Sequence, residues 1–206
     1  MIRETLELKD LPRTFVTADC HFLDKFVIDY KSRPFFGTNA MHDEMIFNWN
    51  SVVGVDDIVW HLGDFSPGDA RATAGIMKRL NGNIKLLLGD HDHRYWQEIE
   101  DLVPHVTCYQ DSMVCLYVDI GKEKDLAIIL CHWPLRAWMY SNQGSLHLHG
   151  HSHGNLLDDR MPHSMDVGQD VHDYTPISIY HPFDLFYLHN PTHPAHSMRE
   201  KSYETK

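Results

Sequence analysis

Nothing in this 206-residue chain runs apolar long enough to span a bilayer. The opening MIRETLELKD is charged rather than apolar, which argues against a secretory leader. The four cysteines, Cys20, Cys108, Cys115 and Cys131, show no CxxC spacing and read as reduced thiols of a cytoplasmic protein rather than a disulfide framework. Basic residues are scarce: 18 Lys and Arg stand against 29 Asp and Glu, a formal charge of -11. A surface of that sign repels polyanions, so general nucleic-acid binding is not expected. Internal repeats and low-complexity linkers are also missing, so residues 1–206 read as a single domain, with a loose polar tail from about 192 to 206.

What is present is histidine, 17 of them, with no tag-like run. Histidine is the commonest metal ligand among side chains, so their positions matter. Short apolar runs resemble strands: FVTAD (15–19), DIVWHL (57–62), IKLLL (84–88), VTCYQ (106–110), MVCLYVDI (113–120), LAIIL (126–130), SLHLH (145–149) and PISIY (176–180). Helical spacing appears in Met41, Met45, Ile46, Trp49 and Val53, in 69–80 and in 94–103. The early half reads β-α-β-α, while VTCYQDSMVCLYV and GKEKD suggest antiparallel hairpins. The expected fold is α/β: a four-layer α/β/β/α sandwich of two mixed sheets flanked by helices.

The chemistry gathers where these runs stop. FVTA leads to Asp19-Cys20-His21, DIVWHL to Gly63-Asp64, and IKLLL to Gly89-Asp90-His91-Asp92. LAIIL leads to Cys131-His132, and SLHLH to Gly150-His151-Ser152-His153. In α/β sheets the carboxyl ends of strands and their loops bind ligands. Asp19 and His21 are two apart, as are His151 and His153, so in extended chain each pair projects to one side. Any one motif is weak, since Gly-Asp is a common turn dipeptide; together they supply about seven carboxylate and imidazole ligands, too many for one tetrahedral zinc. Such donors suit divalent Mn, Fe, Zn or Ni, and two ions sharing one carboxylate form the clamp used in phosphoester hydrolysis.

The order DCH (19–21), GD (63–64), GDHD (89–92), H (132), GHSH (150–153) resembles the calcineurin-like metallophosphoesterase superfamily, whose pattern is D-x-H, G-D, G-N-H-[DE], H and G-H-x-H. HFLDKFVIDYKSRPF, NWNSVVGVDDIVWHLGDF and MDVGQDVHDYTPIS are similar to stretches of its compact bacterial and phage members. The resemblance implies that Asp19, His21 and His153 hold one metal, that Asp90, His132 and His151 hold a second, and that Asp64 bridges them. It further implies that His91 faces the substrate as an acid, with Asp92 orienting it, and that hydrolysis proceeds by in-line attack of a metal-bound hydroxide on a small phosphate ester, with phosphodiester or nucleotide-type substrates favoured. A phosphomonoesterase or protein phosphatase and a non-catalytic protein-binding scaffold are the alternatives within the same fold; a metal-storage role rests only on the histidine count. The chain departs from the pattern at Asp90, where Asn is usual, adding negative charge to the cluster.

Arg33, Arg94 and Arg136 are candidate phosphate contacts, since guanidinium pairs bidentately with phosphate, and Arg136 is the best placed in sequence, four residues after His132. His61 reads as a structural or supporting residue, His147 as a hydrogen-bonded strand histidine, His149 as a possible support for the ligands, and His93 as a bystander. Cys20 reads as a buried small hydrophobe rather than a nucleophile.

Overall fold

The computed structural model describes residues 1–92, 96–111, 113–120, 125–156 and 162–188. Among the described residues ten strands form two five-stranded sheets. One holds β1 (Ile2–Glu7), β6 (Met113–Asp119), β7 (Leu126–Cys131), β8 (Leu146–His149) and β9 (Ser164–Asp166), in that spatial order. The other is ordered β10 (Ile177–Ser178), β2 (Thr14–Thr17), β3 (Ile58–His61), β4 (Asn83–Leu87), β5 (Val106–Tyr109). Both are mixed: β6 and β7 pair antiparallel in the first, β10 and β2 antiparallel in the second, and the remaining pairs are parallel. Helices α1 (Phe26–Tyr30), α2 (Thr38–Val52), α3 (Ala70–Met77), α4 (Trp96–Leu102) and α5 (Tyr180–Phe183) complete the expected α/β sandwich. No helix among the described residues is long and apolar enough to cross a membrane.

Alternation along the strands decides which core each residue joins. Val16, Trp60, Leu62 and Leu87 from one sheet meet Val114, Leu116, Ile128, Leu130, Leu146 and Leu148 from the other in the layer between them. Phe15, Val59, Ile84 and Leu86 face the opposite way, onto Met41, Met45 and Trp49 of α2, Ala74 and Met77 of α3, and Ile99 of α4. The periodic apolar residues of α2 are therefore core packing, as their spacing predicts. Asp69 caps α3 by accepting from the Ala72 amide at 2.8 Å, satisfying one of the donors a helix start leaves open.

Three expectations about elements are corrected. VTCYQDSMVCLYV is not a hairpin: β5 pairs parallel with β4 while β6 pairs with β1 and β7 in the other sheet. The chain crosses between sheets there because both runs are apolar enough to be central or core-facing, and pairing is decided by partners distant in sequence. β1, hidden in a charged N-terminal stretch, lies at an edge with alternate residues half-buried and exposed, and pairs with β6 along its whole length. FVTAD stops being strand at Thr17, and PISIY contributes only Ile177–Ser178 before the chain turns into α5. The hairpin expected at GKEKD is present as the antiparallel β6–β7 pair; its residues 121–124, like His93, Arg94 and the tail from 192, fall outside the described residues.

Candidate metal centre

The carboxyl ends of β2, β3 and β4 in one sheet and of β7, β8 and β9 in the other come together at one end of the sandwich. Backbone bonds stitch the loops there: Asp19 N–H donates to Gly63 O at 3.0 Å, His21 N–H to Asp64 O at 3.0 Å, and Gly150 N–H to His132 O at 3.0 Å. Among the described residues three overlapping groups of ligand atoms result: Asp19, His21 and His153; Asp64, His132 and His151; and His21, Asp64 and His91. Within each group the ligand atoms lie within 4.8 Å of one another. Asp90 is not part of these groups but lies beside the second, with Oδ2 3.6 Å from His151 Nδ1.

The loops reach this geometry by backbone strain, not by strand pleat. Asp19, His21, Asp64, His151 and His153 have φ of 57°, 50°, 56°, 66° and 48°. The extended-chain reading of the Asp19/His21 and His151/His153 pairs is thus corrected: β2 and β8 end before them, and left-handed turns aim the side chains. His151 and His153 consequently serve different groups. Left-handed non-glycine residues cost on the order of 1–3 kcal/mol each and persist where surrounding structure demands them. Glycine makes the approach of the loops feasible: a Cβ on Gly89 would stand 2.3 Å from Asp64 Oδ1, and one on Gly150 2.6 Å from Asp19 Oδ2.

The donor set fits divalent cations. His21 is buried, and neither of its ring nitrogens has a hydrogen-bond partner among the described residues. Its Nε2 points toward Asp64 Oδ2 at 3.6 Å and its Nδ1 lies 3.3 Å from Asp24. Burial pushes its pKa down to about 4, so the ring is a neutral imidazole with a lone pair to offer. His132 Nδ1 lies 2.9 Å from Leu62 O, which can only accept, so Nδ1 carries a hydrogen and Nε2 faces the cluster. Burial would lower the pKa of the ring, but the hydrogen bond and charge of Asp64 outweigh burial and raise it, so a cation would take the place of a proton on Nε2. That Nε2 faces Asp64 Oδ2 at 3.5 Å and His151 Nδ1 at 3.2 Å. Two nitrogens each about 2.0–2.1 Å from a tetrahedral ion lie about 3.3 Å apart, so the pair has the spacing of co-ligands. His153 likewise donates through Nδ1 to Asp170 Oδ2 at 2.6 Å, freeing Nε2.

Charge points the same way. Asp19, Asp64, Asp24, Asp92 and Asp170 crowd the site, and Arg33 is the buried Lys or Arg among the described residues. Burial lifts the Asp19 carboxyl to about 7, even though nearby His153 and His132 and the His151 amide (2.9 and 3.0 Å) oppose it. Burial alone would also raise Asp64, but the hydrogen bond and charge of His132 outweigh it and hold that carboxyl well below the usual range. Carboxylates and imidazoles packed this densely are a donor set whose charge a divalent cation would neutralise.

The remaining candidates take distinct places. His91 is exposed at the mouth; its amide donates to Asp64 Oδ1 at 2.9 Å and its ring centroid lies 4.9 Å from that of His21. Asp92 grips backbone instead of the His91 ring: it accepts from Phe65 N–H (2.8 Å), Ser66 N–H (3.1 Å) and Gly89 N–H (3.0 Å), tying the β3 and β4 loops together. Burial raises its carboxyl to about 6. Arg33 is no free phosphate contact. Its Nε and Nη2 bind Asp170 bidentately at 2.8 Å each, and Nη1 and Nη2 also donate to the carbonyls of Cys20 (2.9 Å) and Asp19 (2.7 Å). Arg136 is exposed.

Asp170 escaped the sequence reading, although it stands inside the quoted MDVGQDV stretch; the Arg33–Asp170–His153 chain is the carboxylate–histidine support expected behind a metal ligand. His147 bonds Ile129 O at 3.1 Å and accepts from Leu135 N–H at 3.2 Å, a structural strand histidine. His149 lies 3.1 Å from Gly150 O, and His61 faces Cys20 Sγ at 3.1 Å, with both Cys20 and His61 fully buried.

No family model matches the chain. An uncharacterized protein of Methanocaldococcus jannaschii is 27% identical over 174 residues, covering 81% of this chain and 87% of that one. The gene 66 protein of Mycobacterium phage L5 is 28% identical over 184 residues, covering 76% of this chain and 85% of the phage protein. Among solved structures, a protein of unknown function from Aquifex aeolicus superposes with a TM-score of 0.65 at 22% identity, covering 84% of this chain and 98% of that one. That likeness is one of fold.

Proposed function

We propose that this chain is a phosphoesterase dependent on two divalent metal ions. The observation that carries the reading is the shared position of Asp64 between the His132–His151 and His21–His91 pairs, beside a buried His21 whose nitrogens have no hydrogen-bond partner among the described residues. Asp19, His21 and His153 would hold one ion, His132, His151 and Asp90 the other, with Asp64 common to both. Ions bound there would act as Lewis acids on phosphoryl oxygens and would bring the pKa of water toward neutrality. The motif order, resembling calcineurin-like metallophosphoesterases, supports the same assignment, and carboxylate with imidazole suits Mn, Fe, Zn or Ni.

The chain's own residues perform the rest. Leu62 O and Asp170 fix which nitrogen of His132 and His153 is free. Asp92, bonded to three amides, keeps the loops carrying Asp64 and His91 at a set spacing. His91, exposed beside the cluster, is placed to give a proton to the departing oxygen or a hydrogen bond to the phosphoryl group. The open mouth suits a small phosphate ester, with diesters or nucleotides favoured. Four free, buried cysteines fit a reducing, cytoplasmic setting.

The test is metal analysis of the purified protein together with a hydrolysis screen of aryl mono- and diesters across Mn, Ni, Zn, Mg and Fe. Close to two ions per chain and metal-dependent turnover are expected. One tightly held ion, or no turnover with any metal, overturns the reading.

A further inference from the structure

Beside the cluster lies an open groove of about 840 Å³ that the ligand set does not use. His91 lines it at the cluster end. Its walls come from the loop before α1, from α1 itself, and from the start of α2: Lys25, Phe26 and Tyr30 on one side, Asn39 and His42 on the other. Phe26 and Tyr30 stand four apart on α1 and so share a face. They are 66% and 55% exposed, unusual for large rings on so short a helix. The Tyr30 ring centroid lies 6.4 Å from that of His153, so the ring adjoins the ligand cluster directly.

Positive charge follows these rings in a chain that is otherwise strongly acidic. Lys25 Nζ sits 4.9 Å from the Phe26 ring centroid, and Lys31 Nζ 5.2 Å from that of Tyr30. Asp24 also lines the groove, but its carboxylate is occupied, accepting from Phe26 N–H at 2.9 Å and facing His21. His42 is fixed by the Leu23 amide, which donates to its Nε2 at 2.9 Å. The exposed Asn39 side chain offers both a donor and an acceptor. The groove thus presents an aromatic shelf, the Lys25 ammonium and an amide, and it opens onto the cluster beside His91.

We propose that this groove is a base-binding subsite, and that the substrate is a mononucleotide-sized phosphate ester whose base rests on Phe26 and Tyr30 while its phosphate reaches the metal cluster. The inference rests on the phosphoesterase reading for the direction in which the substrate lies. Every base has a π-face, and stacking on an aromatic side chain strengthens binding by about 10- to 100-fold. The net charge of -11 disfavours a long polyanion in the same groove.

Two pairs of probes separate the subsite from the chemistry. Binding of AMP and ribose 5-phosphate, which share a phosphate and differ by the base, is measured by calorimetry on the full chain with Mn. AMP should bind at least 10-fold more tightly, and Phe26→Ala with Tyr30→Ala should bring it to the ribose 5-phosphate level. Hydrolysis of thymidine 5′-(4-nitrophenyl) phosphate and methyl 4-nitrophenyl phosphate, which release the same phenol, is then compared. The double variant should lose about 10-fold or more in kcat/KM on the first and stay within twofold on the second, with metal content unchanged. Equal binding of AMP and ribose 5-phosphate by the wild type, or an unchanged preference in the double variant, overturns the subsite. AMP preference with no hydrolysis of either ester overturns the phosphoesterase reading and leaves the subsite standing. Preference for oligonucleotides over AMP overturns the mononucleotide assignment.

Discussion

At the scale of single residues, the site depends on a few atoms whose neighbours leave them no freedom. His91 is exposed, and it is its backbone amide that bonds Asp64, so its ring can be removed without breaking that bond. His91→Ala should lower turnover by about 10²–10⁴-fold while metal content by atomic emission stays unchanged; loss of metal would identify the ring as a ligand. Gly89→Ala should do the reverse. Its new methyl meets Asp64 Oδ1 at 2.3 Å and Asp64 N at 2.5 Å, an overpacking that costs about 1–3 kcal/mol. Denaturant titration should show that loss, and metal occupancy should fall with it. Asp90→Asn removes one charge at a position 46% exposed, 3.6 Å from His151; the variant should retain both ions and activity, and loss of an ion in metal analysis would show that the charge is required. The ligand residue types were legible because each follows an apolar run. Asp170, the role of Asp92 and the burial of Arg33 were not, because their partners lie far away: 137 positions separate Arg33 from Asp170.

Elements were legible in proportion to how much of their stability is local. The α2 pattern of Met41, Met45, Ile46 and Trp49 translates directly into a buried stripe. Trp49 is 1% exposed and donates through Nε1 to Asn81 O at 2.9 Å. Trp49→Ala should therefore destabilise by about 3–5 kcal/mol, read from chemical unfolding, with no change in the metal-binding stoichiometry of the remaining folded protein. β1 was missed because an edge strand needs only one apolar face, and Arg3, Thr5 and Glu7 point outward. Both Lys85 Nζ and the Tyr109 hydroxyl bond Glu4, a cross-sheet arrangement that periodicity does not encode. The false hairpin at 106–118 has the same origin: short spacing favours local pairing, yet the core between the sheets claims Val114 and Leu116 while the helical layer claims Val106 and Cys108.

At the scale of the whole molecule, the buried histidines away from the cluster set a pH dependence with a definite sign. Burial pushes His147 down to about 4, aided by neighbouring His149. Its folded pKa lies below the unfolded value of about 6.5, so as pH falls the unfolded chain takes up the proton first. Stability from this residue is present above about pH 6.5 and lost as pH drops toward 4. His147→Gln should thus show a smaller deficit against wild type at pH 4 than at pH 6.5 in urea titrations with chelator present; a constant deficit would refute the assignment. By itself the sequence determined the order of the candidate ligands, the α/β alternation and the acidic, histidine-rich character, because each is written in residue type next to a local apolar run. Only the tertiary structure decided that the two sheets bring their carboxyl ends to one place, that left-handed turns rather than strand pleat aim the ligands, and that Asp170 and Arg33 stand behind His153. Those outcomes depend on contacts between residues distant in the chain, where burial and partner geometry, not local pattern, select the conformation.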